Sequence, residues 1–254
     1  MSFNKFNDEW IEWVNINLER GCDKDEIFDI LLKNNYEFNK ICKIMKYDKS
    51  KNNILENNPL FIKIKNKNIQ LYKINNFLNN EECKKLIQII NTNLIKSQLT
   101  NKDEPDKKFR TSSTHFFDMN YSLVEYVNNK ICNIMKISKN KCEKLQGQKY
   151  VIGEEFKEHL DYFSKDKEYN HLHLINGGQR TWTFMIYLND VKEGGETEFT
   201  QIDITIKPKK GMALIWNNLN DNNNENIYTK HRGKPIITGE KYIITTWFRE
   251  EDIS

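Results

Sequence analysis

Nine of the ten glycines of this 254-residue chain fall between positions 147 and 239, and only Gly21 lies earlier. Glycine takes positive φ without steric cost, so it marks tight turns and bulges. Beyond residue 145 the chain therefore reads as short strands separated by glycine turns, the pattern of a β-sandwich or barrel. What precedes reads mainly as helix.

The first fifty residues predict three short helices. Trp10, Ile11, Trp13, Val14, Ile16 and Leu18 recur at helical spacing, and Gly21 stands where a helix ends. Asp23 is placed to cap Glu26–Leu32, with Asn34 and Asn35 as its stop, and a third run, Glu37 to Met45, carries Phe38, Ile41, Ile44 and Met45 on one face. Helix number and length resemble ubiquitin-associated-type domains; a helical decoration of the main domain is the competing reading. Polar residues 47–58 predict a linker. The expected division is a helical module over 1–50 and one larger domain over 51–254. In that domain, alternations at Phe61–Lys65 and Ile69–Lys73 predict strands. Helices are expected from Asn79 or Asn80 and around Leu123–Met135, and the charged stretch 100–110 predicts a mobile loop.

Composition narrows the class. Thirty-nine basic against 36 acidic residues leave a net charge of +3, too little for a nucleic-acid footprint on charge alone. No apolar run approaches the ~18 residues of a membrane helix, and the start shows no signal-peptide core. Five cysteines without a C-x-x-C pair predict reduced thiols and a cytoplasmic protein. Asparagine fills 35 positions and alanine one, a bias that suggests an AT-rich genome such as that of a giant virus or an AT-rich protist.

Chemistry concentrates on the few histidines. His159-Leu-Asp161 lies on a segment, Phe156–Phe163, that reads as a strand, so both side chains point to one face. His231, 72 residues on, supplies the third member of a 2-His-1-carboxylate set, the arrangement that holds non-haem Fe(II) with positions open. Lys241 opens an apolar strand ten residues after His231. A lysine so placed can bind the distal carboxylate of a dicarboxylic acid as a point charge.

These features are joined by Asn76–Cys83, Arg110-Thr-Ser-Ser113, Tyr150, Gly177–Asp190, Glu193-Gly-Gly-Glu-Thr197, Lys207–Gly211 and Trp247. In that order, and with that spacing at the metal site, residues 70–250 resemble the prolyl 4-hydroxylase type of 2-oxoglutarate- and Fe(II)-dependent oxygenase. The resemblance implies an α+β chain with a double-stranded β-helix (jelly-roll) core and supporting helices. It implies Fe(II) on His159, Asp161 and His231, with the 2-oxoglutarate C5 carboxylate on Lys241, Tyr150 and Thr183. Trp247 would stand beside cosubstrate and substrate, and Arg110, Ser112 and Glu143 would hold the substrate peptide. The implied reaction consumes O2 and 2-oxoglutarate, releases succinate and CO2, and hydroxylates a prolyl residue, as in procollagen-proline 4-dioxygenases, with ascorbate as auxiliary reductant. The alternatives are a hydroxylase of another residue, such as lysine, or an idle jelly roll used for binding. The partners expected are a proline-containing peptide or protein and a protein for the N-terminal helices, not a membrane or nucleic acid. The location expected is the cytoplasm, or a host cytoplasm or virion if the source is viral.

Three departures lie on the substrate side. Phe156 stands where relatives often have tyrosine, Thr114 where glycine is common, and the Asp161–Gly177 connection is short and lacks a secure counterpart of the usual arginine. Asp161 at the carboxylate position argues against a halogenase, and Lys241 in place of an arginine argues against a nucleic-acid demethylase. His171-Leu-His173 reads as an exposed loop pair, and His115 as packing beside Phe116 and Phe117.

Overall fold

The computed structural model describes residues 4–47, 55, 58–97, 109–118, 120–164, 170–220 and 222–253. Most of the expected linker, most of the charged stretch 100–110 and the middle of the Asp161–Gly177 connection lie outside the described residues. The chain divides into two compact units, Met1–Asn58 and Pro59–Ser254.

The first unit holds three helices, α1 (Asp8–Glu19), α2 (Lys24–Lys33) and α3 (Phe38–Met45). Their starts follow from local chemistry. The Asn7 side chain accepts from the Trp10 amide, and Asp23 accepts from the Glu26 amide at 3.0 Å, satisfying donors a helix leaves unpaired. Gly21, at φ +75°, takes the left-handed turn after α1. Val14, Ile27, Phe28, Leu31, Tyr36, Ile41, Met45 and Tyr47 close a core of their own. The apolar stripe of α1 is narrower than its sequence suggests: Val14 is buried, whereas Ile16 is exposed. The Phe38 side chain lies outside the described residues.

The second unit is built on two facing antiparallel sheets. Its eight-stranded sheet has the order β1-β2-β11-β7-β14-β5-β4-β3. These strands are β1 (Ile62–Lys63), β2 (Leu71–Ile74), β3 (Ile95–Lys96), β4 (Ser113–Phe116), β5 (Gln146–Tyr150), β7 (Arg180–Tyr187), β11 (Ala213–Asn217) and β14 (Lys241–Arg249). A four-stranded sheet runs β10-β9-β12-β6, from β6 (Phe156–His159), β9 (Thr197–Phe199), β10 (Ile204–Ile206) and β12 (His231–Gly233). A short pair joins β8 (Glu193–Gly194) to β13 (Ile236–Thr238). This is the jelly roll expected. Two strands are shorter than expected: β1 keeps two residues, and β6 ends at His159, so Asp161 sits in the bend after it.

The period of two sorts the large sheet into a cavity face and a helix face. Met185 and Tyr187 of β7, Leu214 and Trp216 of β11, Tyr150 of β5 and Ile243 of β14 pack with Phe199 of β9 in the core between the sheets. The other face meets α4 (Asn80–Ile90) and α5 (Ser122–Met135), which bury Leu86, Ile90, Val127 and Ile131. Asn79 starts α4 with a capping box: its side chain accepts from the Glu82 amide at 2.9 Å, and Glu82 accepts from the Asn79 amide at 2.7 Å. The His171–His173 pair, expected in a loop, lies in a short helix, α6 (His171–Ile175).

One turn tests the packing directly. Gly194 has φ +80°, and a Cβ there would lie 2.2 Å from the Pro235 carbonyl oxygen. Gly239 has φ +92° with open space around it. Gly239→Ala is expected to lose about 1–2 kcal/mol from backbone strain alone. Gly194→Ala adds a backbone clash, for a total loss of about 3–4 kcal/mol. Urea unfolding of both variants reads the difference.

Candidate active site

Register places the site. Lys241 at the start of β14 pairs with Tyr150 of β5, and Trp247 near its end pairs with Thr183 of β7, which pairs in turn with Trp216 of β11. On β14 the cavity face carries Lys241, Ile243, Thr245 and Trp247, and on β5 Gln148 and Tyr150. From the smaller sheet come His159 on β6 and His231 on β12, which are direct cross-strand partners with ring centres 4.2 Å apart. All lining residues fall between Arg110 and Trp247.

His159, Asp161 and His231 converge, with one candidate ligand atom from each within 4.8 Å of the others. His159 Nε2 lies 3.7 Å from Asp161 Oδ1, and His231 Nε2 lies 4.0 Å from Oδ2. Each imidazole is oriented by its own backbone: Nδ1 of His159 bonds the Lys157 carbonyl at 2.8 Å, and Nδ1 of His231 bonds the Thr229 carbonyl at 2.9 Å. Carbonyls only accept, so Nδ1 carries the proton and Nε2 is the free lone pair toward Asp161. Burial, helped by the neighbouring His231, pushes His159 down to about 3, keeping it neutral. Burial works to raise the Asp161 carboxyl. The histidines, Arg180 and a hydrogen bond from Thr183 outweigh it and hold the group below its usual range. Imidazole nitrogens of His159 and His231 and one anionic carboxylate, turned toward one another, suit a divalent transition metal.

At the other end of the cavity Lys241 is 3% exposed. Its ammonium donates to the Gly195 carbonyl at 2.8 Å and lies 5.0 Å from the Tyr150 ring centre. No carboxylate pairs with it among the described residues. Burial lowers it to about 8, with Glu196 opposing. A buried ammonium with one carbonyl partner is a place for an anion.

Thr183 is not beside it. That residue is level with Trp247, six positions along β14 from Lys241 and so roughly 20 Å away at ~3.4 Å per residue. Its hydroxyl donates to Asp161 Oδ2 at 2.7 Å instead. A threonine that does line the cavity is Thr197, whose hydroxyl accepts from the Tyr187 hydroxyl at 2.7 Å. The Glu-Gly-Gly-Glu-Thr run that ends in Thr197 was the signal for it.

The expected substrate residues divide. Arg110 lines the cavity, its guanidinium 4.8 Å from the Phe156 ring centre, and Phe156 stacks on His159 at 3.6 Å and 17°. Ser112 does not face the cavity: it is fully buried, bonded to Arg110 and Ser97. Glu143 is also committed within the protein. Its carboxylate accepts two bonds of 2.7 Å from Arg180 and one of 3.3 Å from Arg249. Arg180 lies 3.8 Å from the Trp247 ring centre and donates to the Asp161 carbonyl at 3.4 Å. His115 is buried, bonded to the Asn93 carbonyl and edge-on to Phe117, whereas Phe116 is exposed.

Comparison with known proteins agrees with this geometry. The family model of the 2OG-Fe(II) oxygenase superfamily matches residues 145–249. The "Putative prolyl 4-hydroxylase" of Acanthamoeba polyphaga mimivirus is 32% identical over 184 residues, 72% of this chain and 75% of that protein. Prolyl 4-hydroxylase 5 of Arabidopsis thaliana is 31% identical over 196 residues, 68% of this chain and 66% of its own. The crystal structure of the viral collagen prolyl hydroxylase of Paramecium Bursaria Chlorella virus-1, in its 2OG complex, aligns with a TM-score of 0.56 at 27% identity. The match covers 70% of this chain and 95% of that one. A prolyl hydroxylase of Trichoplax adhaerens aligns at 0.55 and 16% identity over 82% of this chain and 92% of its own, a likeness of fold.

Removing the carboxylate that holds both arginines leaves two largely buried cations unpaired. Glu143→Ala is expected to lower stability by about 2–3 kcal/mol, discounted for partial exposure. The check is a lower denaturation midpoint with an unchanged m-value.

Proposed function

The chain belongs to the 2OG-Fe(II) oxygenase superfamily, in its prolyl 4-hydroxylase-like branch, and from that premise we propose that it hydroxylates prolyl residues of a peptide or protein at the 4-position. The observation that carries this reading is the pairing, in one cavity, of the His159–Asp161–His231 cluster with the buried, carboxylate-free Lys241. The donor set fits ferrous iron, and the distant ammonium fits the far carboxylate of 2-oxoglutarate.

In this reading His159 and His231 bind the metal through Nε2 and Asp161 through its carboxylate. Iron in that site supplies dioxygen activation with 2-oxoglutarate: one oxygen atom enters succinate as CO2 is lost, and the other replaces a C–H hydrogen as hydroxyl. The protein's part is placement. Lys241, with Tyr150 and Thr197 in the same wall, fixes the distal carboxylate, so the 2-oxo acid end is directed to the metal. Phe156, stacked on His159, fixes the plane of that imidazole. Trp247, held by the Arg180 guanidinium, walls the cavity, and Arg110 stands at Phe156 as the cation that meets an entering peptide. Ascorbate, as the reductant keeping such iron ferrous, rests on the family resemblance. Five free cysteines support a reducing, cytoplasmic setting. Among the described residues no helix is long and apolar enough to cross a membrane. The helical unit, with a core closed on itself, is given a separate role in binding a protein partner.

Two outcomes test the site. His159→Ala and Asp161→Ala should each abolish succinate formation from 2-oxoglutarate; turnover at the wild-type rate in either variant sinks the metal assignment. A panel of proline-rich peptides, read by mass spectrometry, should show the gain of one oxygen atom on proline; a gain on lysine instead would redirect the substrate class.

Lys241 gives a pH test. The ammonium is charged below its value of about 8 and is lost above it, whereas both carboxylates of 2-oxoglutarate are already ionised. Anaerobic affinity for 2-oxoglutarate, measured with Mn(II) present, should be level below pH 7 and weaken as pH rises through 8 to 9. Lys241→Ala should weaken it about 100-fold or more, the scale of a truncated buried charge pair, and should remove that pH dependence.

A further inference from the structure

Thr183 and Asn218 are both fully buried, and neither lines the cavity, yet they end on the carboxylate at its centre. Thr183 Oγ1 lies 2.7 Å from Asp161 Oδ2, and Asn218 Nδ2 lies 2.9 Å from Thr183 Oγ1. Counting protons fixes the direction of both bonds. A hydroxyl has one proton, and an ionised carboxylate only accepts, so Thr183 donates to Asp161. The hydroxyl oxygen then accepts from the Asn218 amide. An amide turned the other way would set an acceptor against Thr183 and compete for its single proton.

The chain is anchored to keep this direction. Asn218 follows β11, its own N–H donating to the Thr181 carbonyl at 2.7 Å and its carbonyl accepting from the Asn226 N–H at 3.0 Å. Its Oδ1 is buried without a partner among the described residues. Such an orphan is unfavourable in a dry interior, and it is kept where the amide's other end holds Thr183. Thr183 is flanked on neighbouring strands by Trp216 and Trp247. Asp161 itself lines the cavity and is 7% exposed.

We infer that Thr183 and Asn218 act as a positioning pair on Asp161, committing Oδ2 to the protein so that Oδ1 alone is presented to a metal ion. The inference rests on the proposed metal site. A carboxylate with both oxygens free can close on the ion bidentately and take a position that the cosubstrate or dioxygen needs. With Oδ2 held by a short hydrogen bond, the carboxylate contributes one bond and its orientation is set before the ion arrives. Thr183 thus acts through Asp161, not on the substrate.

The test needs no turnover. Thr183→Val removes the hydroxyl at constant shape, and Thr183→Ser retains it. Co(II) affinity, measured anaerobically by competition, should fall about 10–100-fold in Thr183→Val, the usual scale for a lost outer partner of a ligand, and return to within about threefold in Thr183→Ser. The visible absorption of bound Co(II), which reports coordination number, should change in the valine variant and be restored by serine. Wild-type affinity and spectrum in a folded Thr183→Val overturn the inference, as does a folded Thr183→Ser that fails to restore them. Should the valine variant not fold, the wild-type protein decides alone. A crystal structure with Mn(II) is expected to show the ion on Oδ1, with Oδ2 still on Thr183, and an ion bound by both oxygens or by Oδ2 overturns the inference. The two failures are separable. If His159→Ala binds Co(II) as tightly as wild type, or Mn(II) is absent from the three side chains, the metal-site reading falls and takes this inference with it.

Discussion

The carboxylate of Asp161 draws together side chains from three strands that lie far apart in sequence. It sits in the bend after β6, faces the imidazoles of β6 and β12, accepts the Thr183 hydroxyl of β7, and gives its main-chain carbonyl to Arg180 at the start of β7. A buried anion is costly unless paired and hydrogen-bonded. Here the two imidazoles line the cavity, whereas Thr183 and Arg180 reach Asp161 from outside its lining. The smaller sheet carries both histidines and the larger sheet carries Thr183 and Lys241, and the Asp161 carboxylate meets side chains from both.

Charge elsewhere in the site is arranged by contrast. Glu143 has two guanidinium partners, and one of them, Arg180, presents its face to Trp247. Lys241 is as deeply buried as Asp161 and has a single carbonyl. Among the described residues Arg180 and Arg249 thus have a carboxylate partner, and Lys241 has none.

How much of this was legible depended on whether the relation was local along the chain. His159 and Asp161 stand two residues apart, and His231 and Lys241 ten, so a strand pattern and a count were enough to group them. A sandwich or barrel of short strands was readable from glycine placement, because positive φ at turns is a demand each residue answers by itself, and the jelly roll came with the family resemblance. Thr183 was misplaced since its partner depends on register between β7 and β14, and register is written in pairings of distant strands. Ser112 and Glu143 were expected to face substrate; the groups that occupy them, Ser97 and the two arginines, come from other strands and leave no mark at the positions themselves.

The order of strands in the large sheet has a consequence for how the protein comes into being. β14 lies at the centre of that sheet, between β7 and β5, yet it follows every other strand along the chain. During synthesis β7 and β5 wait with open inner edges, while the Arg180 and Lys241 ends of the cavity have no common wall. Pairing between distant segments is slow and exposes unpaired edges to other chains. The nascent domain therefore holds an unfilled slot between its two halves until β14 leaves the ribosome. The inner edges of β5 and β7 are thus the last in the large sheet to find their partner as the chain is made.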